Sequence, residues 1–554
     1  MVAAELLARA QDWLDQDPDP HTRAELASLV AAARSTHGSE QAAAELADRF
    51  ARRLDFGTAG LRGALGAGPN RMNRVVVAQV AAGLAGYLRA DPNPGQDGVV
   101  IGFDARHQSD IFARDTAEIV RGAGVDAYLL PGPLPTPVLA FAIRHLRCAA
   151  GVMVTASHNP PQDNGYKVYL GDGSQIVPPA DTDIAAAIDG VGPVPTLPRA
   201  DDYVRLDESV LDEYVSAVSA LPRPDGPRAL DVVYTPLHGV GGAVVRRVLE
   251  RTGFAPAYET PEQADPDPDF PTVAFPNPEE PGVIDLALSS ARRRRADLVV
   301  ANDPDADRCA VAVPDADTAD WRMMHGDELG VLLADTLMRR GVRGTYATTI
   351  VSSSMLRRMC AARDLPYVET LTGFKWLGRV EGLVFGYEEA LGYCVAPGIA
   401  RDKDGISAMV LALELAAALK LAGLTLQSRL DELARVYGVH ATDQLSVRMA
   451  NPSRLGSAVD RLRTTPPAAL GGLEVASIDD LALGGDGLPP TEGLRCALRD
   501  GARVVVRPSG TEPKLKCYLE AVVMVGPEGL AAARAVARSR LAAIRADVAA
   551  AVGG

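Results

Sequence analysis

Three carboxylates, Asp303, Asp305 and Asp307, follow an apolar stretch of the chain at alternate positions. Alternating carboxylates at a strand end can converge on one hard divalent cation, which requires oxygen ligands. The calcium EF-hand is excluded because its downstream Gly and Glu pattern is absent. A solvated acidic turn does not explain why the carboxylates follow a fully apolar strand. The spacing therefore predicts a metal site, and Mg²⁺ fits it because Mg²⁺ usually leaves room for a phosphoryl oxygen.

The run Thr155-Ala156-Ser157-His158-Asn159-Pro160 predicts a hydroxyl group on a constrained loop. It follows the apolar segment 149–154 and precedes a turn-rich segment. A strand that stops at hydroxyl, imidazole and amide groups and then meets Pro leaves its serine exposed. Ser157 is thus a candidate for the residue that carries the chemistry. Thr, Ser and Asn before Pro are also ordinary turn formers, so the run alone leaves both interpretations open.

Three segments are candidates for anion binding: the glycine-rich segments 56–63, which contains Arg62, and 235–242, and the segment 503–514, which contains Arg507. The first and third combine backbone N–H groups with a guanidinium fork, and the third adds hydroxyls that suit a phosphate monoester. The second connects a strand to a helix, where a helix N-terminus can hold phosphate. Glycine-rich turns are also common for purely conformational reasons, and this alternative stays open for the first two segments taken alone.

Lys167 lies in the segment 164–169, which has the pattern of a hairpin arm. A lysine can accept a proton if burial or a neighbouring cation depresses its pKa. The alternative interpretation is an exposed lysine on an edge strand. The residues themselves do not decide between the two.

The composition is that of an ordinary soluble globular protein: 47% of the 554 residues are hydrophobic and 23% are charged. The net charge of -15 argues against a nucleic-acid-binding surface. The basic run 292–295 is the exception, and we expect it to form the solvated face of a helix end, because cations suit helix C-termini.

The six cysteines are scattered singly, without the close pairs of a zinc site or the density of a disulfide scaffold. The N-terminus lacks a signal-peptide pattern, and no apolar run approaches ~18 residues. We therefore predict a cytoplasmic protein with no membrane partner.

The elements that must position these residues alternate between strand and helix. A prior of ~150 residues per domain suggests about four domains. Residues up to about 53 have the spacing of amphipathic helices and predict a helical preface to the first domain. The pattern then predicts helix 75–88, strand 98–104, helix 111–123, strand 126–130 and helix 137–145 before the serine run. This alternation indicates α/β layers with functional loops at the carboxyl ends of strands.

The serine run with a downstream Asp-x-Asp-x-Asp-Arg motif resembles the α-D-phosphohexomutase superfamily, which includes phosphoglucomutases, phosphomannomutases and phosphopentomutases. Two further motifs follow in the family order, Gly386–Tyr393 with Glu388 and the Arg507 segment, so the resemblance covers nearly the whole chain after the preface. It implies an α/β protein of four domains around a central cleft, three α/β domains with mixed sheets and a C-terminal α+β domain. The expected boundaries are 1–53 for the helical preface, 54–205 for domain 1, 206–320 for domain 2, 321–436 for domain 3 and 437–554 for domain 4.

The resemblance also implies a role for each motif. Ser157 is expected to be phosphorylated and to share Mg²⁺ with the three aspartates. Lys167 or His158 would be the general base and acid, with Lys167 preferred, while Arg62 would orient the phosphoserine and Arg308 would neutralise charge. The expected sugar-binding residues are Thr372, Gly373, Lys375, Glu388, Glu389 and Lys403. The expected phosphate-binding residues are Arg507, Ser509, Gly510, Thr511 and Lys514.

The implied activity is that of a phosphosugar mutase that works through a sugar bisphosphate. The expected partner is a small-molecule phosphosugar, and the protein is expected to be a monomer or a homodimer. The loop 386–393 departs from the Glu-x-Ser-Gly-His form of many bacterial members, because Ala390 and Tyr393 replace small polar and imidazole groups. With 235–242 and 275–280, it looks more like the branch of phosphoglucomutase-2, phosphopentomutase and glucose-1,6-bisphosphate synthase. We predict interconversion of hexose 1-phosphate and 6-phosphate, with glucose slightly ahead of mannose, and keep pentomutase and bisphosphate synthase as alternatives.

Two other classes of function stay open at this stage. A hydrolase with an aspartyl nucleophile can use an Asp-x-Asp motif, but it leaves Ser157 and the Arg507 segment unexplained. A catalytically silent sugar-phosphate sensor is the non-enzyme alternative, although every expected catalytic residue is present.

Overall fold

The computed structural model describes residues 4–35, 39–90, 97–315, 320–448, 453–485, 487–508 and 514–553. The chain forms two compact units. The first comprises Met1–Met323 and Gly392–Glu414, and the second comprises Met324–Leu391 and Leu415–Gly554. Within the described ranges, no single helix has the length and apolar character of a membrane span; Gly405–Leu421 and Leu426–Tyr437 meet that criterion only as a pair, across a 90° bend.

The first unit begins with the predicted helical preface, in the helices Ala4–Gln16, Pro20–Arg34 and Ser39–Ala51. The second helix starts at Pro20 because its preceding Asp19 accepts a hydrogen bond from the backbone N–H of His21, and proline suits the first helical turn. Trp13 and Phe50 from this preface are buried in the core of the first sheet.

The sheet that follows is mixed, as expected. Its six strands lie in the order Leu61–Ala64, Asp163–Leu170, Ala150–Val154, Val99–Phe103, Ala127–Pro133 and Val204–Arg205. The first two pairings are antiparallel and the other three are parallel. The helices of this layer are Arg74–Ala90, Ser109–Gly122, Thr136–His145 and Ala180–Asp189. Two parallel strands, Val99–Phe103 and Ala150–Val154, therefore deliver residues 104–106 and the serine run to the same edge.

A second mixed sheet belongs to the same unit. Its strands lie in the order Trp321–Met323, Ala310–Pro314, Leu298–Ala301, Val232–Thr235 and Tyr258–Glu259. Its helices are Ser209–Ser219, Gly241–Thr252 and Asp285–Arg294, and the unit is completed by the strand Gly392–Cys394 and the start of the helix Gly405–Leu421. Leu298–Ala301 runs parallel to Val232–Thr235, so the aspartate motif and the glycine-rich segment 235–242 emerge together.

The second unit contains three parallel strands of one sheet, followed by an antiparallel sheet. The parallel strands lie in the order Tyr367–Thr370, Thr345–Thr349 and Leu383–Glu388, with the helices Gly326–Arg339, Met355–Ala361, Phe374–Leu377 and Leu426–Tyr437. The antiparallel order is Val439–Arg448, Lys514–Val523, Arg503–Pro508, Leu494–Leu498, Leu473–Asp480 and Ala469–Leu470, with the helices Ser453–Thr464 and Gly529–Val552. This last sheet with its two helices confirms the expected α+β domain. Short 3-10 helices occur at Val194–Thr196, Pro261–Gln263, Leu481–Leu483 and Arg499–Gly501.

The structure also places the cysteines and the basic run 292–295. The six cysteines, Cys148, Cys309, Cys360, Cys394, Cys496 and Cys517, are all buried and form no disulfide. The basic run lies at the C-terminal end of the helix Asp285–Arg294, where Arg292 pairs with Asp320 and Arg294 pairs with Asp231. These arginines thus form a solvated helix end, as expected.

Candidate active site

Ser157 lies on the loop that leaves the strand Ala150–Val154. Its Oγ donates a hydrogen bond to Oδ2 of Asp303 over 2.9 Å and lies 3.1 Å from Nδ1 of His158. The backbone of Ser157 is in the left-handed region with φ of 52°, which is unusual for a residue other than glycine. The loop thus aims a hydroxyl at the aspartate motif from a conformation that the surrounding contacts must hold.

The first of these contacts comes from Asp104, at the end of the neighbouring strand. Thr155 Oγ1 donates to Asp104 Oδ2 over 2.6 Å, and the backbone N–H of Ser157 donates to Thr155 Oγ1 over 2.8 Å. Asp104 is almost fully buried. The carboxylate therefore fixes the serine backbone through one intervening hydroxyl.

The three predicted metal ligands converge as expected. One carboxylate oxygen from each of Asp303, Asp305 and Asp307 lies within 4.8 Å of the others, and all three residues are buried. Asp303 Oδ1 accepts from the backbone N–H of Arg308, and Asp305 Oδ2 accepts from Thr136 Oγ1 over 2.6 Å. Among the described residues, Oδ1 of Asp305 and Oδ1 of Asp307 are buried without a hydrogen-bond partner. Buried carboxylate oxygens left unpaired in this way fit a hard divalent cation such as Mg²⁺.

Two glycines allow other loops to approach the aspartate loop. A Cβ on Gly239 would lie 2.3 Å from Cα of Pro304, and a Cβ on Gly405 would lie 2.2 Å from the carbonyl oxygen of Arg308. The backbone N–H of Val240 also donates to the carbonyl of Pro304 over 2.8 Å. The glycine-rich segment 235–242 therefore packs against the aspartate loop, which supports the packing interpretation of that segment.

Two lysines neutralise the carboxylates. Lys167 Nζ lies 2.7 Å from Asp305 Oδ2 and 3.1 Å from Asp307 Oδ2, and Lys403 Nζ lies 3.1 Å from the same oxygen of Asp307. The strand that carries Lys167 is flanked on both sides by other strands, and its side chain is buried. The interpretation of Lys167 as an exposed residue on an edge strand is therefore wrong.

The protonation states follow from burial and from these charges. Burial alone lowers the pKa of Lys167, but the carboxylates of Asp305 and Asp307 outweigh it and raise that pKa. Burial lowers the pKa of His158 well below its usual range, and the charges of Arg308 and Arg62 lower it further. At neutral pH the site thus offers a charged ammonium and a neutral imidazole.

The two predicted arginines flank the serine and the aspartates. Arg62 Nη1 donates to Asn159 Oδ1 over 3.0 Å, which ties it to the serine run. Arg308 Nη1 lies 3.5 Å from Glu279 Oε2, and its Nε lies 3.9 Å from Asp303 Oδ2. Both guanidinium groups are placed to meet negative charge near Ser157.

The second unit holds five of the six predicted sugar-binding residues, whereas Lys403 lies in the first unit. Glu388 Oε1 accepts from the backbone N–H of Gly373 over 2.6 Å, which places the segment from Thr372 to Lys375 beside this glutamate. Glu389 Oε2 accepts from Ser352 Oγ over 3.0 Å. Burial, followed by the charges of Glu388 and Asp327, raises the pKa of Glu389 to about 7.

The predicted phosphate-binding segment is described at its two ends. Arg507 and Lys514 lie on adjacent antiparallel strands, where Arg507 pairs with Lys516 and Pro508 pairs with Leu515. The side chain of Arg507 hydrogen-bonds that of Tyr518. Ser509, Gly510 and Thr511 lie outside the described residues.

Sequence reasoning overlooked several residues that hold these groups in place: Asp104, Arg106, Thr136, Thr155 and Asn302. Asn302 Oδ1 accepts from Tyr234 Oη over 2.8 Å, and Asn302 Nδ2 donates to the carbonyl of Arg308. Each of the five lies at or just after the carboxyl end of a strand or at the start of the next helix, and that position is the signal that points to them.

Comparison with family models matches four consecutive segments of the chain. Residues 53–192, 212–316 and 325–437 match the alpha/beta/alpha domains I, II and III of phosphoglucomutase/phosphomannomutase, and residues 446–523 match its C-terminal domain. Together these segments span most of the chain.

Individual proteins show the same likeness. A Haemophilus influenzae protein named "Probable phosphomannomutase" is 48% identical over 81% of this chain and 93% of its own length. The human protein named "Phosphopentomutase" is 36% identical over 93% of this chain and 91% of its own length. A solved structure of a phosphoglucomutase/phosphomannomutase family protein from Burkholderia thailandensis shares the fold, with a TM-score of 0.70 and 21% identity over 90% of this chain and 98% of that chain.

Proposed function

The chain belongs to the phosphoglucomutase/phosphomannomutase family of phosphomutases, and from that premise we propose that it interconverts hexose 1-phosphate and hexose 6-phosphate through phosphorylated Ser157. The observation that carries the proposal is the contact of Ser157 Oγ with Asp303 beside two further buried carboxylates. A nucleophilic hydroxyl next to a divalent-cation site is what reversible phosphoryl transfer requires.

The proposed cycle moves one phosphoryl group in each half. A hydroxyl of the sugar monophosphate attacks the phosphorus of phosphorylated Ser157, the bond between that phosphorus and Oγ breaks, and a sugar bisphosphate results. After the bisphosphate reorients, Oγ of Ser157 attacks its other phosphate and regenerates the phosphorylated enzyme. The products are the isomeric monophosphate and the original enzyme, so the cycle needs no outside phosphate donor.

The residues that would hold Mg²⁺ are Ser157, Asp303, Asp305 and Asp307. When bound, the cation neutralises charge on the phosphoryl oxygens. The chain itself contributes Arg308 and Arg62 on the same side, and both are rich in donors for phosphoryl oxygens.

Proton movement is assigned to Lys167 and His158. The attacking sugar hydroxyl must lose a proton, and the Oγ that leaves phosphorus must gain one. His158 Nδ1 lies 3.1 Å from Ser157 Oγ, which suits it to exchange a proton with the serine. The family position assigns Lys167 to the sugar hydroxyl, but Asp305 and Asp307 raise its pKa, so Lys167 must first lose the proton that these carboxylates stabilise before it can act as the base.

Sugar recognition is assigned to the second unit. Glu388 and Glu389 can accept hydrogen bonds from sugar hydroxyls, with Thr372, Gly373 and Lys375 beside them. Lys403 belongs to the first unit, where it reaches Asp307. We assign the phosphate that is not reacting to the segment from Arg507 to Lys514, which includes Ser509, Gly510 and Thr511.

A second candidate is a phosphopentomutase that acts on ribose or deoxyribose phosphates. The pentose assignment is favoured by the name of the human relative, which matches 93% of this chain. The loop 386–393 favours it as well. The Haemophilus relative, which has the higher identity, favours a hexose instead. Hexose therefore stays the primary proposal and pentose the alternative.

The experiment that tests the proposal combines a substrate panel with mass spectrometry. Turnover is measured on the 1-phosphates of glucose, mannose and ribose, each with its matching bisphosphate, and the peptide that contains Ser157 is analysed for phosphate. We expect a phosphoserine at Ser157 and the highest kcat/KM on a hexose. A dominant rate on ribose 1-phosphate would replace the hexose assignment with the pentose one, and an unmodified Ser157 in an active enzyme would overturn the mechanism.

A further inference from the structure

Arg106 lies under the serine loop and binds its backbone rather than any acidic side chain of the aspartate motif. Its Nη2 donates to the carbonyl oxygens of Ser157, at 2.6 Å, and Asn159. Its Nη1 donates to the carbonyl oxygens of Pro160, at 2.8 Å, and Asp163, at 3.0 Å. One guanidinium group thus ties together four carbonyl groups within seven consecutive residues of the loop.

Asp104 compensates the positive charge of Arg106 through Nε, the guanidinium nitrogen that does not bind the loop carbonyls. Its Nε lies 3.4 Å from Asp104 Oδ2, and both side chains are almost fully buried. Asp104 also accepts from the backbone N–H of Arg106 over 3.0 Å. A buried cation with a buried partner costs far less than an isolated one, so the pair can stay charged inside the protein.

Phe270 covers one face of the guanidinium group of Arg106. It belongs to the part of the first unit that contains the second sheet. The Arg106 Cζ lies 4.8 Å from the centroid of the Phe270 ring. Phe270 is buried and sits at a left-handed φ of 46°. The proline-dense segment that carries it is further joined to the first sheet by the contact of Asp269 with His107 at 2.7 Å. The aromatic ring therefore keeps water from the carbonyl bonds and holds the guanidinium plane in one orientation.

These contacts bear on the strained backbone of Ser157. A non-glycine residue in the left-handed region is strained and persists only where its surroundings hold it there. Arg106 holds the backbone of Ser157 in this conformation, because rotation of the Ser157 peptide group would break a charge-assisted hydrogen bond in a buried site. The direction of Oγ toward Asp303 depends on the same backbone conformation.

We propose that Arg106, covered by Phe270, is a positioning residue that fixes the orientation of the Ser157 nucleophile by binding the carbonyl oxygens of its loop. The inference rests on the proposed function, since it assumes that Ser157 carries the transferred phosphoryl group. It assigns Arg106 no contact with the substrate, so its loss should act on turnover rather than on sugar binding.

The test compares Arg106→Lys with the matched control Arg74→Lys. Arg74 is a partly buried arginine in the same domain that pairs with Asp115 at 2.6 Å, away from the serine loop. Lysine keeps the positive charge in both variants but donates from a single nitrogen, so it cannot span four carbonyl groups. Phe270→Leu is the third variant, because it removes the ring while keeping an apolar side chain and is milder if Arg106→Lys folds poorly.

The readouts are kcat, KM, the phosphorylated fraction of Ser157 after incubation with a sugar bisphosphate, and the melting temperature. We expect Arg106→Lys to lower kcat by about 10²-fold with KM changed by no more than about twofold, because a small misplacement of a reacting group has an effect of that order. Phe270→Leu should give a smaller loss of the same kind, and Arg74→Lys should leave kcat unchanged. The phosphorylated fraction should fall in the order of the kcat values.

Two outcomes would overturn the inference, and they are distinguishable. If wild-type Ser157 carries phosphate but Arg106→Lys and Phe270→Leu match Arg74→Lys in kcat, Arg106 has no positioning role. If wild-type Ser157 is never phosphorylated in an active enzyme, the proposed function fails, and the inference fails with it.

Discussion

The hydroxyl of Ser157 donates to Asp303 across 2.9 Å, although 146 positions separate the two residues in the chain. The serine leaves the first sheet and the aspartate leaves the second, so the bond joins the functional edges of two sheets. Neither sheet alone brings the candidate nucleophile beside the candidate metal ligands.

Replacing Ser157 with alanine should remove mutase activity. We expect kcat to fall by at least about 10⁴-fold, because a covalent nucleophile acts as part of a unit and its loss is rarely compensated. Activity is measured on the preferred hexose 1-phosphate in the presence of its bisphosphate. A hydrolase with an aspartyl nucleophile would keep most of its phosphatase activity in this variant, and that result would revive the hydrolase alternative. A sensor would show no turnover even in the wild type.

Removing divalent metal should abolish activity reversibly. The unpaired oxygens of Asp305 and Asp307 are expected to bind Mg²⁺, so dialysis against a chelator should inactivate the enzyme and added Mg²⁺ should restore it. Asp305→Asn should raise the Mg²⁺ concentration needed for half-maximal activity. Mg²⁺ should also raise the melting temperature of the wild type by mass action. Full activity after exhaustive chelation would contradict the metal assignment.

Replacing Gly239 with alanine should disturb the aspartate loop. The added Cβ would lie 2.3 Å from Cα of Pro304, and backbone cannot move aside as cheaply as the end of a side chain. We expect a loss of about 1–3 kcal/mol in the free energy of unfolding and a weaker apparent affinity for Mg²⁺. Gly132→Ala is the matched control, since a Cβ there would have no atom within 4 Å. Equal behaviour of the two variants would show that the loop tolerates the displacement.

Glu389 should make stability depend on pH. Its pKa is raised from the usual 4.5 to about 7, so the folded protein keeps the carboxyl protonated where the unfolded chain has lost the proton. The contribution of Glu389 to the free energy of unfolding is therefore fully present below about pH 4.5, and it is lost as the pH rises through about 7. Glu389→Gln should therefore melt at a higher temperature than the wild type at about pH 8, with the difference shrinking at about pH 5.

The control for this prediction is Glu381→Gln, which changes an exposed glutamate of the same sheet region. It should shift the melting temperature little and equally at both pH values. A pH-independent effect of Glu389→Gln would mean that its carboxyl is ionised in the folded protein throughout this range.

Glu520→Gln should destabilise the second unit strongly. Glu520 Oε2 accepts from Arg503 Nε over 2.8 Å, and Arg503 also donates to the carbonyl oxygen of Ser352, whose hydroxyl binds Glu389. The substitution would leave the buried guanidinium with only the more distant Glu369, 3.7 Å away, as an acidic partner, and we expect it to cost about 3–5 kcal/mol in the free energy of unfolding. Arg540→Gln, which breaks a more exposed ion pair with Asp500, should cost no more than about 1 kcal/mol. Denaturant unfolding of the two variants provides the comparison.

The sequence predicted the motifs better than it predicted what supports them. Ser157 and the three aspartates can be recognised because reactive groups follow apolar strands, and the structure brings them together with Lys167, whose role the residues alone left open. Thr136 has no such signature, since its hydrogen bond to Asp305 joins residues 169 positions apart. Arg106 has no signature either, because a guanidinium that binds backbone carbonyls leaves no pattern in the side chains around it.

The predicted helices and strands of the first sheet were also found, with ends that differ by a few residues. The helix expected at 111–123 spans Ser109–Gly122, and the strand expected at 126–130 extends to Pro133. Local periodicity identifies such elements, whereas their ends depend on tertiary contacts that no short window contains.

The burial of all six native thiols makes this protein a convenient host for site-specific labelling. Burial raises the pKa of each cysteine, and a protonated, inaccessible thiol reacts slowly with maleimides. A single cysteine introduced at an exposed position should thus accept a fluorophore or spin label selectively. Distances and mobilities in the working enzyme can then be followed without first rebuilding its core.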